Sequence, residues 1–161
     1  MKEKIEGIIK KSLNQLYKTD KYLIDNQPDG VLELDKLHHV GERSIVFRFA
    51  HYLLNYIQKD VDFAGYDFDC EYNRNGINKK VLPSFPNGTY PDIIVHHRGD
   101  NDNNLLVIEV KTYWNSDIRD DERKIRELMS VTGEYKFRYG VSLLLGRTKE
   151  DVKVNFINSD L

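Results

Sequence analysis

The sequence predicts an α/β fold in which a mixed β-sheet is flanked by helices. Two stretches within the first sixty residues carry apolar side chains at helical spacing. From residue 66 onward the chain contains several apolar runs of strand length, with one further helical segment before the last of them. The predicted order is helix, helix, three strands, helix and one or two strands, which is typical of a meander followed by a helical crossover.

The chain is predicted to open with an amphipathic helix. Its apolar residues recur at helical spacing, with Lys and Glu between them: Ile5, Ile8, Ile9, Leu13, Leu16 and Tyr17. The segment 25–30 is dense in turn-forming residues and is expected to end this element. Residues 1–30 are therefore interpreted as an N-terminal helical extension, and residues 1–161 as a single domain.

A second helix is predicted from about Gly41 to Ile57. Its apolar stripe consists of Ile45, Val46, Phe49, Leu53 and Ile57. Glu42 heads this stripe, where a carboxylate is costly unless it has a partner such as a metal ion or Lys111. The alternative is that Glu42 simply complements the helix amino terminus, where negative charge is favoured.

Three strands are predicted to follow the second helix. The first covers Tyr66–Tyr72 and ends at the turn-forming residues 73–76. The other two contain Ile93–Val95 and Leu105–Ile108, and the polar segment 98–104 between them is typical of a hairpin. These strands would form a three-stranded meander.

The remaining elements complete the predicted core, which extends over residues 41–145. A third helix is predicted at about Ser116–Ser130, followed by the apolar strand Val141–Leu145. Alternation over Val152–Ile157 indicates an additional edge strand. The segment 76–89, rich in Pro, Gly and Asn, is interpreted as a loop.

Composition limits the classes of function that the chain can have. The formal net charge of −2 gives no global basic signature, so a site for a polyanion must come from local clustering of Lys and Arg. Cys70 is the only cysteine, which excludes an internal disulfide and a cysteine-rich zinc site. No apolar run approaches the roughly 20 residues that span a bilayer. We therefore expect a cytoplasmic protein without a membrane partner.

Charged residues stand at the ends of two predicted strands. Glu109 and Lys111 share one face of their strand because side chains alternate along it. Asp92 begins the preceding strand, directly after Pro91. If the two strands pair antiparallel, the start of one lies beside the end of the other. Asp92 is then expected to lie close to Glu109 and Lys111.

Such a group of residues suits a divalent cation and the hydrolysis of a phosphodiester. Two carboxylates supply the oxygen ligands that Mg²⁺ prefers. A neighbouring ammonium can orient or help deprotonate a metal-bound water and offset charge on a phosphate. As alternatives, Glu109 and Lys111 form an exposed ion pair on an edge strand, or Asp92 only favours the turn before its strand.

The segments Tyr90–Val95 and Leu106–Lys111 together resemble the PD-(D/E)xK signature of the restriction-endonuclease-like nucleases. The helix that carries Glu42 is similar to the acidic first helix of many members of that family. The predicted element order from residue 41 to residue 145 is similar to the αβββαβ core of the family. The resemblance implies a restriction-endonuclease-like α/β fold with an extra N-terminal helix.

The resemblance also implies roles for individual residues. Asp92 and Glu109 would bind Mg²⁺, for which Mn²⁺ can substitute, and the Val110 carbonyl would be a further ligand. Lys111 would position the attacking water. Glu42 would assist through a second metal ion or a bound water.

Four further residues are candidates for contact with nucleic acid. Glu71 and Arg74 lie in a polar stretch that suggests a strand lining the site. Tyr113 is a candidate to stack on a base or sugar, with core packing as an equal alternative. Lys124 is a candidate for a phosphate contact, because the corresponding helix often faces the site in the family resembled. Acidic neighbours such as Asp121 are equally compatible with an ordinary solvated helix.

The sequence therefore predicts a metal-dependent endonuclease that hydrolyses DNA through a Mg²⁺-activated water, without a covalent intermediate. No sequence-reading motif is visible, so target choice would come from DNA structure, a homodimer or a partner protein. The alternative is a catalytically inactive nuclease-fold module that binds nucleic acid or a partner protein. Hydrolysis of RNA or of a small phosphate ester is a third hypothesis, because the metal chemistry is shared.

Overall fold

A computed structural model describes residues 1–25 and 39–158 of the chain. The helices are α1 (Lys2–Thr19), α2 (Lys21–Ile24), α3 (Glu42–Ile57) and α4 (Arg119–Met129). The strands are β1 (Asp67–Cys70), β2 (Arg74–Asn75), β3 (Asn78–Lys79), β4 (Ile93–His96), β5 (Leu106–Thr112), β6 (Tyr139–Leu145) and β7 (Lys153–Ile157). None of these helices is long and apolar enough to cross a membrane.

Five of the strands form one mixed sheet in the order β1-β4-β5-β6-β7. The strand β4 pairs antiparallel with both β1 and β5, β6 runs parallel to β5, and β7 is antiparallel to β6. The helix α4 makes the crossover between the parallel pair, which a short turn cannot connect. The α/β class with a mixed sheet flanked by helices is thus confirmed.

Both faces of the sheet are covered by helices. On one face, α1 and α3 pack against apolar side chains that include Ile93, Val95 and Ile108. On the other face, α4 packs against Ile94 and Val107. Because β5 lies in the middle of the sheet and is buried on both sides, the alternative of an ion pair on an edge strand is wrong.

The helix α1 contributes directly to the main hydrophobic core. Its predicted apolar stripe is buried together with that of α3, and the two helices pack against each other. The apolar face of α1 is therefore buried inside the fold of this chain. The turn predicted over residues 25–30 lies outside the described residues, apart from Asp25.

Several predicted boundaries differ from the observed ones, and three of the differences have a local cause. The strand β1 is shorter than predicted because Glu71 adopts a φ of 49°, which ends the extended conformation. The predicted loop 76–89 contains strand β3, which forms a hairpin with β2 through a turn that holds Gly76 at a φ of 57°. The helix α4 begins at Arg119 rather than Ser116, after a turn in which the Asp117 carboxylate accepts a hydrogen bond from the Arg119 N–H.

Gly140 allows α4 to approach β6 closely. A Cβ atom at this position would lie 2.2 Å from Cγ2 of Ile125 and 2.3 Å from Sδ of Met129. Both of these side chains are buried, so they cannot move aside freely. We expect Gly140→Ala to lower the free energy of unfolding by about 1–3 kcal/mol, as measured by urea denaturation.

Gly7→Ala provides the matched control for Gly140→Ala. A Cβ atom at Gly7, inside α1, would meet no atom within 4 Å. Alanine should therefore raise the free energy of unfolding by roughly 0.5–1 kcal/mol, because glycine is a poor helix former. Equal stability of the Gly140→Ala and wild-type proteins would contradict the close packing of α4 on the sheet.

Candidate functional site

The pairing of β4 with β5 brings Asp92 and Glu109 together. Ile93 lies opposite Ile108, so the next position along the ladder sets Asp92 beside Glu109. The Val110 backbone N–H donates a hydrogen bond of 2.7 Å to Oδ2 of Asp92, which fixes this carboxylate against β5. The adjacency that hairpin geometry predicts for the two acids is observed.

Glu109 is a buried carboxylate whose two oxygens have different surroundings. The residue is 2% exposed. Its Oε2 atom accepts a hydrogen bond of 2.8 Å from Nζ of Lys124. Its Oε1 atom is buried and has no hydrogen-bond partner within the described residues. A buried carboxylate oxygen is stabilised by a donor or a cation, so this atom is suited to accept a further positive group.

Burial perturbs the pKa of both carboxylates. Burial, followed by the charge of Asp92, raises the pKa of Glu109 well above its usual value, although Lys124 acts in the opposite direction. Burial raises the pKa of Asp92 to about 6, against the hydrogen bond from Val110. A cation bound between the two groups would favour their ionised forms and lower both pKa values.

Lys111 lies between two carboxylates from different helices. Its Nζ atom is 3.5 Å from Oδ2 of Asp121 on α4 and 3.9 Å from Oε1 of Glu42 on α3. The other oxygen of Glu42 accepts a hydrogen bond of 2.8 Å from the Asn115 amide. Glu42 thus faces the same group of side chains as the strand residues, from the first turn of its helix.

Asp121 belongs to this site and was not predicted from the sequence. The interpretation of Asp121 as part of an ordinary solvated helix face is wrong, because the residue is only 7% exposed. Asp121, Ile125 and Leu128 follow helical spacing, and all three are buried. Asp121 therefore heads the apolar stripe of α4, as Glu42 heads that of α3. The same spacing argument applied to α4 would have found it.

We refer to these six side chains as the carboxylate–lysine cluster: Glu42, Asp92, Glu109, Asp121, Lys111 and Lys124. Lys124 lies inside this cluster, bound to Glu109, with its side chain 15% exposed. When all six groups are ionised, four carboxylates exceed two ammonium groups, which leaves a charge of −2. A divalent cation would balance that excess.

The donor set suits a hard cation that keeps much of its water. Within the parts of the chain that the structure describes, no group of three or more His, Cys, Asp or Glu side chains is arranged to hold a metal ion. Mg²⁺ commonly takes only one or two protein carboxylates and retains several waters. Asp92 and the free oxygen of Glu109 meet that requirement. Val110, whose carbonyl was predicted as a ligand, contacts Asp92 through its N–H.

Glu71 and Arg74, two of the predicted nucleic-acid contacts, lie in different surroundings. The N–H of Glu71 donates to the Asp92 carbonyl oxygen, which sets Glu71 at the margin of the cluster. The Glu71 carboxylate pairs with the exposed Arg43 at 2.8 Å. Arg74 lies in the β2-β3 hairpin, where its guanidinium donates only to the Ile77 carbonyl within the described residues.

Tyr113 packs among other aromatic rings. Its ring centroid lies 4.7 Å from that of Trp114 and 5.9 Å from that of His39, both in edge-to-face contact. Trp114 and His39 stack face to face at 4.1 Å. These contacts favour the packing alternative for Tyr113, beside the end of β5.

Comparisons with known proteins add nothing to the geometry of the cluster. Protein-family models, characterised proteins and solved structures were compared with the chain and none of them matches it, so the assignment of a function depends on the geometry of the cluster.

Proposed function

We propose that this chain is a metal-dependent nuclease that hydrolyses phosphodiester bonds, with DNA as the preferred substrate. The observation that carries this proposal is the side-by-side placement of Asp92 and Glu109, together with a buried oxygen of Glu109 that has no hydrogen-bond partner in the part of the chain that the structure describes. Lys111 extends from the same face of β5 as Glu109. Two carboxylates and an ammonium in this arrangement are suited to metal-assisted attack of water on phosphorus.

The topology supports a restriction-endonuclease-like core. The helix α3 precedes an antiparallel meander of β1, β4 and β5, and α4 then crosses over to the parallel strand β6. This succession is the αβββαβ order that the sequence resemblance implies. The candidate metal ligands lie at the start of β4 and in the second half of β5, on neighbouring inner strands of this sheet.

The residues of the cluster divide the proposed chemistry among them. A divalent cation at Asp92 and Glu109 would supply Lewis acidity and increase the acidity of bound water. Lys111, whose side chain is 25% exposed, is in contact with solvent and can donate to the attacking water or to a phosphate oxygen. Glu42 and Asp121 hold that ammonium in place from two helices.

A nicking assay on supercoiled plasmid with Mg²⁺ or Mn²⁺ tests this proposal. Wild-type protein should nick the plasmid, and Lys111→Ala should lower the rate at least about 100-fold, since the ammonium acts on the reacting groups. Lys59→Ala is the matched control, because Lys59 is an exposed lysine after α3. It should cleave as wild type does. Chelation of the metal by EDTA should stop the reaction.

The outcomes separate the proposal from its alternatives. Equal cleavage by wild type and Lys111→Ala would mean that the activity does not arise at this cluster. Parallel assays with single-stranded DNA and RNA rank the substrates, and faster cleavage of RNA would reassign the preferred substrate while retaining the metal chemistry.

A second candidate function is a catalytically inactive module that binds nucleic acid. It is favoured by the ion pair between Lys124 and Glu109, which already supplies a cation to one candidate ligand. Binding of DNA in an electrophoretic assay, without cleavage under any metal condition, would support this candidate over the nuclease.

A further inference from the structure

An ammonium group already neutralises one of the two candidate metal ligands. Lys124 Nζ donates a 2.8 Å hydrogen bond to Oε2 of Glu109, whose side chain is 2% exposed. Burial of the carboxylate makes this pair costly to break unless another cation replaces the ammonium. A metal ion arriving at Glu109 therefore competes with Lys124 for the same carboxylate.

A second acceptor for the same ammonium lies one turn earlier on α4. Lys124 Nζ is 3.9 Å from Oδ1 of Asp121, so a shift of about 1 Å would bring the two atoms to hydrogen-bond distance. The other oxygen of Asp121 is buried without a hydrogen bond in the described residues and lies 3.5 Å from Nζ of Lys111. Asp121 thus has unused capacity to accept hydrogen bonds.

We propose that Lys124 is an internal counter-ion of the metal site, which holds Glu109 in the metal-free protein and transfers to Asp121 when Glu109 binds a divalent cation. This inference rests on the proposed function, because it requires the cation to bind at Asp92 and Glu109. Asp121 is then a positioning residue that acts through Lys124, and the metal does not contact it.

The exchange explains why both partners of Lys124 are acidic and buried. Without the ammonium, the metal-free protein would hold two adjacent buried carboxylates with no cation between them. Without Asp121, metal binding would leave the ammonium beside a divalent cation with no carboxylate to receive it. Lys124 and Asp121 therefore set the metal affinity together, because they determine where the Lys124 ammonium lies when the metal binds.

Calorimetric titration of the metal-free protein with Mn²⁺, without nucleic acid, tests this exchange. Lys124→Met should lower the Kd for Mn²⁺ about tenfold, because the competing cation is gone. Asp121→Asn should raise the Kd about tenfold when Lys124 is present, and change it less than about threefold when residue 124 is Met. The exchange is therefore identified by an effect of Asp121→Asn on the Kd that depends on whether Lys124 is present.

Two neighbours on α4 provide matched controls for the loss of charge alone. Arg123 and Asp120 are exposed, with side chains 57% and 76% accessible to solvent. Arg123→Met and Asp120→Asn remove the same charges outside the cluster. They should change the Kd less than about twofold, since exposed charges are screened by water and salt.

Three results would overturn the exchange. The first is an unchanged Kd for Mn²⁺ in Lys124→Met. The second is that Asp121→Asn changes this Kd equally with Lys or Met at position 124, which would make Asp121 a ligand. Where Met is not tolerated, Lys124→Gln keeps a donor for Glu109 without the charge and carries the same test. The third is an absence of Mn²⁺ binding by the wild-type protein, which would remove the proposed nuclease function as well, whereas the first two leave it intact.

Discussion

Asp92→Asn should slow metal-dependent cleavage about 10³-fold and at the same time stabilise the metal-free protein near pH 8. The amide removes a charged ligand, and a loss of about 4 kcal/mol of transition-state stabilisation corresponds to a rate reduction of about 10³-fold. The asparagine carbonyl oxygen can still accept the 2.7 Å hydrogen bond from the Val110 N–H. The local geometry of β4 and β5 is therefore expected to persist.

The gain in stability follows from the raised pKa of Asp92. Burial lifts this pKa from 3.8 to about 6 in the folded protein. A carboxyl group with a raised folded-state pKa contributes stability below pH 3.8 that is lost as the pH rises to about 6. That loss amounts to about 2–3 kcal/mol for a partly buried group. Asparagine does not ionise, so the variant avoids it.

Urea denaturation in EDTA at pH 8 and pH 4 measures this effect. The difference in unfolding free energy between Asp92→Asn and wild type should be large at pH 8 and should shrink at pH 4. Asp102→Asn, at an exposed position, should match wild type at both values. If Asp92→Asn and wild type are equally stable at pH 8, the ionised Asp92 carboxylate does not destabilise the folded protein.

The part of the site that sequence predicted is the part fixed by local geometry. Alternation along a strand places Glu109 and Lys111 on one face, and a hairpin connection sets Asp92 opposite Glu109. Helical spacing likewise identified Glu42 at the head of its stripe, where it faces Lys111 in the structure. Each of these relations depends on one element or on two neighbouring strands.

The placement of α4 over β5 could not be derived in the same way. Its crossing over β5 is set by tertiary packing against Gly140 and the apolar face of the sheet, so the partner of Lys124 was not visible in the sequence. Charge density around Asp121 concealed its helical spacing. The two-residue strands of the β2-β3 hairpin are too short to show periodicity, and that segment was therefore predicted as a loop.

Lys80→Met is expected to raise the free energy of unfolding at pH 7, by about 1–2 kcal/mol. Lys80 is 1% exposed and forms no ion pair within the described residues. Its Nζ atom lies over the rings of Tyr135 and Tyr72, at 4.2 Å and 5.9 Å from their centroids. Burial lowers the pKa of Lys80 to about 8, which corresponds to a destabilisation of about 3 kcal/mol for the charged form. The aromatic contacts offset about 1–2 kcal/mol of it.

The pH dependence distinguishes this burial effect from a change in packing. An amine whose folded-state pKa lies below its usual 10.5 disfavours folding most strongly below pH 8, and the penalty fades as the pH rises from 8 toward 10.5. The advantage of Lys80→Met over wild type should therefore decrease between pH 7 and pH 10. Lys79→Met, at the exposed neighbouring lysine, should show no such trend. A Lys80→Met protein less stable than wild type at pH 7 would mean that attraction to the two tyrosine rings exceeds the cost of burying the ammonium.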